Sequence, residues 1–545
     1  MRLLRYCFLF VICSFVLIAE EQQPAYTLYI PMRDGVALPT DIYLPSGKET
    51  GLPCVLVRTP AGRTRYKDVF VPLTKAGYAV AIQDARSYLD PEGKTMPCVH
   101  DAWGDLKDGY DTVEWLGKSE LTNGKIGTMG FSAMGIMQLL MAPAAPPSLT
   151  CQYIGVAPAS MYHHAMFLGG QLLKHQVEGW LGYYAKHPSI LDFVHRQREF
   201  SPFWEGLDTT KVAHLVQSPA IHYGGWFDTF CQGTIDAFVS RQENGGDGAR
   251  GRQKLIMGPW GHFYPLVDKI GDFSVPETGK QPPFDFSPLR WFDHYLKGLD
   301  NGADKIPNVI YYVMGPFDGT PSKGNLWRTA DKWPVPAKET SLYLTASHHL
   351  DEHTCNESAT YEYAYNPENP VPTHGGRNLF LESGPKDQSD IEKREDVVIF
   401  TSEELQEDTE VTGRIKAKVW FSTDCSDTDL IVKLCDVYPD GKSFLITDGI
   451  CRLGSLPDQH GEPREVEVDL WSTSIVFAKG HKIRVLVTSS DYPRFEKNLN
   501  CKKANHLEKA WQIAHNKIHI GPNTPSCVIL PIVGEGICQD QVAKQ

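Results

Sequence analysis

The chain has 545 residues, of which 42% are hydrophobic and 22% charged, with a formal net charge of -13. That apolar share is ordinary for a folded protein, and the length exceeds what one hydrophobic core usually supports, so two or three domains are expected. The acidic balance excludes a protein built for nucleic-acid binding, which would show a basic face, and indicates little else.

At the N-terminus Arg2 and Arg5 precede an apolar run over residues 6–18, and Ala19 is followed by Glu20 and Glu21. A short basic region, an apolar stretch and an abrupt polar end predict a secretory signal peptide over residues 1–19. The run falls short of the roughly 20 residues of a membrane span, so no stable membrane insertion is expected after cleavage; an uncleaved anchor is the alternative. Cys13 would suit a lipid anchor only behind a small residue, and Ile12 is bulky.

Residues 26–30 and 36–44 flank Arg33-Asp34-Gly35, a hairpin signal. Short apolar runs at 54–58, 78–83, 125–130 and 153–157 then alternate with helical stretches such as 109–116 and 133–141. Buried strands alternating with helices predict a parallel sheet covered on both faces. Residues 161–212 are rich in Trp, Tyr, Phe, His and Leu at helical spacing, with no strand signal, and predict a helical cap over the site. Strand signals return at 220–223 and 255–257, so the α/β domain is expected over 26–160 and 213–305. From 306 to 540 the runs at 309–314, 341–344, 414–422, 429–437, 465–470 and 482–489 alternate apolar with polar residues and predict an all-β jelly roll. Within it, residues 363–377, rich in Pro and Asn, are expected to form a loop.

Of the 13 cysteines, Cys7 and Cys13 fall in the signal, and the other eleven include no CxxC pair, so no zinc site is expected. Cys425, Cys435 and Cys451 are close enough for one disulfide; buried free thiols are the alternative.

The strongest chemical motif is Gly130-Phe131-Ser132-Ala133-Met134-Gly135. It follows an apolar strand and opens a helix, the context of a nucleophile elbow, in which small neighbours permit a strained serine backbone. The helix N-terminus and the Ala133 amide can then stabilise an oxyanion. A serine between glycines can equally be only a turn, and Met134 stands where glycine is usual. The partners expected for this fold come in the order Ser, Asp, His. Gly224-Gly225-Trp226-Phe227-Asp228 ends one strand on an acid, and Gly258-Pro259-Trp260-Gly261-His262 ends the next on a histidine. Taken singly, Asp228 could be a helix cap and His262 a packed core residue. The order and the strand-end positions together predict a Ser132–Asp228–His262 triad.

These residues carry a resemblance. The sequence is similar to the cocaine-esterase and X-prolyl-dipeptidyl-peptidase family, with the glutaryl acylases and α-amino-acid ester hydrolases. Pro31-Met32-Arg33-Asp34-Gly35-Val36, Arg58-Thr59-Pro60, Gln83-Asp84-Ala85-Arg86 and the stretch from Asp108 to Leu116 resemble its N-terminal half. Gly135 fits the family's elbow, whose second glycine comes three places after the serine. Asp436-Val437-Tyr438-Pro439-Asp440-Gly441 and the stretch from Ser489 to Phe495 resemble its C-terminal domain. The resemblance implies an α/β-hydrolase core, a helical cap and a galactose-binding-like jelly roll. It also implies a tyrosine after Arg-Thr-Pro whose phenol completes the oxyanion hole. Here that place is Ala61, which has no side-chain donor. Tyr66, Tyr88 or a bound water are the alternatives.

Weaker constellations carry less. His163-His164 and His348-His349 lack helical zinc spacing, and Asn356-Glu357-Ser358 fits a glycosylation acceptor that chance also produces. Trp180, Tyr183 and Tyr184 could line an acyl pocket or simply pack the insertion. The expected protein is a secreted or periplasmic serine hydrolase. It would cleave ester or amide bonds of a small-molecule or peptide-like acyl substrate through an acyl-enzyme, with no metal or organic cofactor. Two alternatives stand beside it. One is an X-Pro dipeptidyl peptidase, for which no cap carboxylate is recognisable as an amine clamp. The other is a degenerate hydrolase acting as a binding protein, which Ala61 would favour.

Overall fold

Short apolar runs rich in β-branched and aromatic residues become the strands of a ten-stranded sheet. In the computed structural model, which describes residues 22–185, 187–354, 356–455, 461–501 and 510–534, these are β1 (Tyr26–Pro31), β2 (Ala37–Tyr43), β3 (Leu52–Thr59), β4 (Ala79–Asp84), β5 (Thr122–Phe131), β6 (Leu149–Gly155), β7 (Ala220–Phe227), β8 (Gln253–Gly261), β9 (Val309–Val313) and β10 (Leu326–Ala330). The signal segment, residues 1–19, lies outside the described residues. The strand order is β1-β2-β4-β3-β5-β6-β7-β8-β9-β10, parallel from β4 through β9, with antiparallel strands at either edge.

Every residue of β3, β4 and β9 is buried, as a parallel strand covered on both faces requires. One core packs Val113 and Leu116 of helix α1 (Asp108–Lys118) against Leu38, Ile42 and Leu56. A larger one unites α2 (Ala133–Met141), later helices and the C-terminal strands.

Between β6 and β7 lie helices α3 (Lys174–Tyr184) and α4 (Ser189–Arg196). The reading of this segment as strand-free needs one correction. Phe167–Leu168 and Gln171–Leu172 form a small hairpin, and the amide of Arg452 donates to the Gly169 carbonyl at its turn (2.8 Å). Strands of two residues leave no periodicity to read.

Past the boundary expected at 306, two strands still belong to the hydrolase sheet. Residues 309–313 pair with β8 in the hydrolase sheet, and 326–330 pair with 309–313. The run Val-Ile-Tyr-Tyr-Val is buried throughout, so it never had the in-out alternation of an exposed sheet. The β-rich C-terminal domain begins with the strand Lys338–Leu344. Among the described residues its sheet has eleven strands, antiparallel apart from one pairing, between His349–Asp351 and Val398–Ser402. The loop expected from 363 starts later, because Ala359–Tyr365 is a strand in which Tyr363 and Tyr365 alternate inward. Cys425, Cys435 and Cys451 are free thiols, not a disulfide pair. Cys435 faces Leu445 and Cys451 faces Leu430 on separate rungs, and burial pushes the Cys451 thiol up to about 12.

Candidate active site

The site forms at the C-terminal ends of β5, β7 and β8, with β6 lying between the first two. β5 ends at Phe131, and Ser132 sits in the sharp turn before α2 at φ 55° and ψ -124°. A non-glycine residue there is strained and persists only when its surroundings hold it. The Ser132 amide donates to the Gly155 carbonyl at 3.0 Å, and its carbonyl accepts from the Ile136 amide at 2.8 Å. Close packing explains the small neighbours. A Cβ on Gly130 would lie 2.5 Å from Met134 Cβ, and one on Gly135 would lie 2.8 Å from Ala157 Cβ.

Asp228 follows β7 and is fully buried. Its Oδ1 accepts from the Phe230 amide at 2.6 Å, which fixes the carboxylate's direction. His262 follows β8, with Nδ1 3.3 Å from both Asp228 oxygens and Nε2 3.0 Å from Ser132 Oγ. The carboxylate can only accept, so the proton sits on Nδ1 and leaves Nε2 free to accept from the serine. Phe230 and Phe263 pack edge-on against the imidazole, with centroids 5.4 and 5.1 Å away. The structure thus brings Ser132, Asp228 and His262 together in hydrogen-bond order.

Ala133 is the first residue of α2, and its amide is among the first four of the helix, which have no intrahelical acceptor. Ala61 is half-buried, and its own amide donates to Thr59 Oγ1 at 3.1 Å. Beside the triad lies a cavity of about 10 Å³ lined by Ile136, Met161, Met166, Val177, Trp180 and Phe230, with Ala165 and Gln176. That is close to the least volume that holds one water. The cavity meets the triad through Phe230, which packs on His262; Trp180 lines it, and Tyr183 and Tyr184 pack on each other, centroids 4.6 Å apart. Phe230, Met161 and Met166 were not singled out from the sequence. Only Phe230 left a signal, standing two places after the acid.

The paired histidines do not reach the triad. His164 Nε2 lies 3.1 Å from Asp236, and His348 packs against Tyr361 and Phe400. Among the described residues no group of three or more His, Cys, Asp or Glu could hold a metal ion. Asn356 is exposed.

Two family models match this chain. One is described as X-Pro dipeptidyl-peptidase (S15 family), over residues 34–189 and 178–264. The other is the X-Pro dipeptidyl-peptidase C-terminal non-catalytic domain, over 301–529. The cocaine esterase of a Rhodococcus species is 28% identical over 587 aligned positions, covering 93% of this chain and 98% of the relative. The chain belongs to the cocaine-esterase and X-prolyl-dipeptidyl-peptidase family. Like its relatives, it is a serine hydrolase. Two solved structures share the family fold, an α/β-hydrolase-like domain with a β-rich C-terminal domain. An aminopeptidase from a marine-sediment Thaumarchaeota archaeon has TM-score 0.79 at 21% identity, covering 95% of this chain and 100% of the other. An α-amino acid ester hydrolase has TM-score 0.77 at 22% identity, covering 96% and 99%. The C-terminal family model starts at 301 and so includes β9 and β10, which pair with the hydrolase sheet.

The elbow's packing sets a test. Gly130→Ala would drive a methyl into Met134 and shift the start of α2. A misplacement of about 1 Å costs on the order of 100-fold in rate. Turnover of p-nitrophenyl acetate is expected to fall by about that factor with the protein still folded; turnover within about twofold of wild type would show that the turn tolerates a side chain.

Proposed function

We propose that the protein is a secreted hydrolase of esters or amides with small apolar acyl groups, working through an acyl-enzyme on Ser132. The observation that carries this reading is the hydrogen-bonded line from Ser132 Oγ through His262 to Asp228. In it, His262 Nε2 takes the serine proton as Oγ attacks the carbonyl, then returns it to the leaving group. Asp228 holds the imidazole tautomer and the charge that forms on it. The Ala133 amide and the α2 N-terminus face the developing oxyanion. Water then cleaves the acyl-enzyme by the same route in reverse. No step requires a metal or organic cofactor.

Residues 161–212 are read as a cap whose Trp180, Met161 and Met166 back onto Phe230, next to His262. The C-terminal domain is read as a galactose-binding-like jelly roll. Ester substrates come first because the full-length relative is named cocaine esterase. Peptide-like substrates follow from the X-Pro dipeptidyl-peptidase family description.

Three measurements test this. Ser132→Ala is expected to abolish hydrolysis and fluorophosphonate labelling without unfolding the protein, since losing a triad nucleophile costs many powers of ten; activity above about 10% of wild type would refute the assignment. With Trp180, Met161 and Met166 filling the space behind Phe230, acetyl and propionyl esters are expected to turn over faster than octanoyl esters. Trp180→Ala should raise the octanoyl-to-acetyl ratio of kcat/KM by about 10-fold or more, from the value of a methylene in an apolar pocket; an unchanged ratio would place the acyl group elsewhere. Export rests on the basic-then-apolar N-terminus. Mass spectrometry should find the mature chain starting near Glu20 outside the cytoplasm, and an intact N-terminus on cytosolic protein would overturn it.

A further inference from the structure

An oxyanion formed at Ser132 needs two donors, and in α/β-hydrolases the second comes from the loop after β3. In this chain several donors of that loop are already engaged. The Ala61 amide is taken by Thr59 Oγ1, and the Arg63 amide donates to Asp84 Oδ1 at 2.5 Å. The Arg63 side chain is held by Asp41 and Asp84 at 2.9 and 2.6 Å. Tyr66 is buried beside Tyr183 and Arg65, and burial with Tyr183 alongside pushes its phenol well above the usual range.

A second loop reaches over this one. Tyr88 lies in the short helical turn Arg86–Leu89 that follows β4, and β4 borders β3 in the sheet. A Cβ built on Gly62 would lie 2.8 Å from both Cζ and Oη of Tyr88, so the phenol rests on the backbone beside Ala61. Only glycine leaves that space, and Gly62 takes the left-handed φ of +97°. Tyr88 itself is 51% exposed, so its ring lies at the surface of the loop. The turn beneath it is pinned, because Arg86 binds Asp34 and Asp108, each at 2.7 Å. A donor anchored in this way loses little freedom when charge develops beside it.

We propose that Tyr88 is the second oxyanion donor, its phenol crossing Gly62 to stand in for the side chain that Ala61 lacks. This rests on Ser132 as nucleophile. During attack the carbonyl π pair moves to oxygen as the Oγ–C bond forms. The Tyr88 hydroxyl donates to that oxygen without transferring its proton, and the bond relaxes when the leaving group departs.

The test compares kcat and KM for p-nitrophenyl acetate in the full-length protein. Tyr88→Phe is expected to lower kcat by about 100-fold with KM within about threefold and an unchanged melting temperature, the usual loss for one donor. Adding Ala61→Tyr to Tyr88→Phe should restore kcat by about 10-fold or more, since a phenol again faces the oxygen; a structural role for Tyr88 would give no such rescue. Wild-type kcat in Tyr88→Phe overturns the proposal. So does a fall in kcat that Ala61→Tyr leaves unrepaired, or a collapse in Tyr66→Phe with Tyr88→Phe unaffected. Ser132→Ala separates the two levels: an active Ser132→Ala removes the nucleophile itself, whereas an inactive one beside a fully active Tyr88→Phe removes only the Tyr88 assignment.

Discussion

The arrangement at the site depends on one strained residue. Ser132 at φ 55° holds its hydroxyl clear of the sheet and toward His262, and the cost of such a backbone is of order 1–3 kcal/mol. The surroundings that hold it are contacts of atoms with no room to spare. Gly130 faces Met134, Gly135 faces Ala157 and the Gly155 carbonyl, and Gln138 ties α2 back to the carbonyls of Gly130 and Tyr153, each at 3.2 Å. Each contact is local to β5, β6 and α2, so the strain is held by the parallel sheet itself. The acid and base need no comparable strain, because they extend from β7 and β8, which run parallel to β5 across β6.

Much of this was legible in the sequence because the elbow, acid and base each mark a strand end with glycine and an aromatic. Those residues do double work. Gly225 admits Trp260, whose carbonyl would lie 2.1 Å from a Cβ there, and the indole of Trp226 donates to the Tyr312 carbonyl at 2.7 Å. The packing that locks β7, β8 and β9 together is therefore written in the same motifs as the chemistry. What escaped the sequence lacks a period or a motif. The β9 run is buried on both faces and looks alike in either domain, the hairpin beyond β6 has strands of two residues, and the cavity wall is assembled from helices far apart in sequence. The relation of Tyr88 to Gly62 joins two loops across neighbouring strands, which no spacing rule reports.

The two domains share a surface that bears on the acid. Helix α5 (Cys231–Asn244) starts three residues after Asp228, and the Cys231 amide donates to the Asp228 carbonyl at 3.1 Å. Gln232 on this helix accepts from the Ser472 amide of the C-terminal domain at 2.9 Å, and the Cys231 thiol faces the Ser472 carbonyl. Nearby the Met314 amide donates to the Ser474 carbonyl at 3.0 Å, and the Val476 amide donates to the Met314 carbonyl at 2.8 Å, tying the end of β9 to the same strand.

That strand is itself irregular where it meets the hydrolase domain. Trp471 has φ +66°, at the point where the pairing of Thr409–Thr423 with Arg464–Phe477 slips register between Ile415 and Lys416. A bulge re-aims the chain, and a bulky residue in the left-handed region needs support from outside the strand. Arg377 supplies it. Its guanidinium lies 4.7 Å over the indole and donates to the Leu470 carbonyl at 3.1 Å and to Thr447 Oγ1 at 2.7 Å. Burial lowers the Arg377 pKa, and the ion pair to Asp448, which Arg494 also holds, opposes that shift. The buried charges of the C-terminal domain thus hold the bulge whose next amide meets α5, so this domain reaches the loop of Asp228 through two hydrogen-bonded residues. A charge cluster of this kind is poor at raising stability but well suited to fixing one geometry. One geometry is what a buried carboxylate aimed at His262 requires.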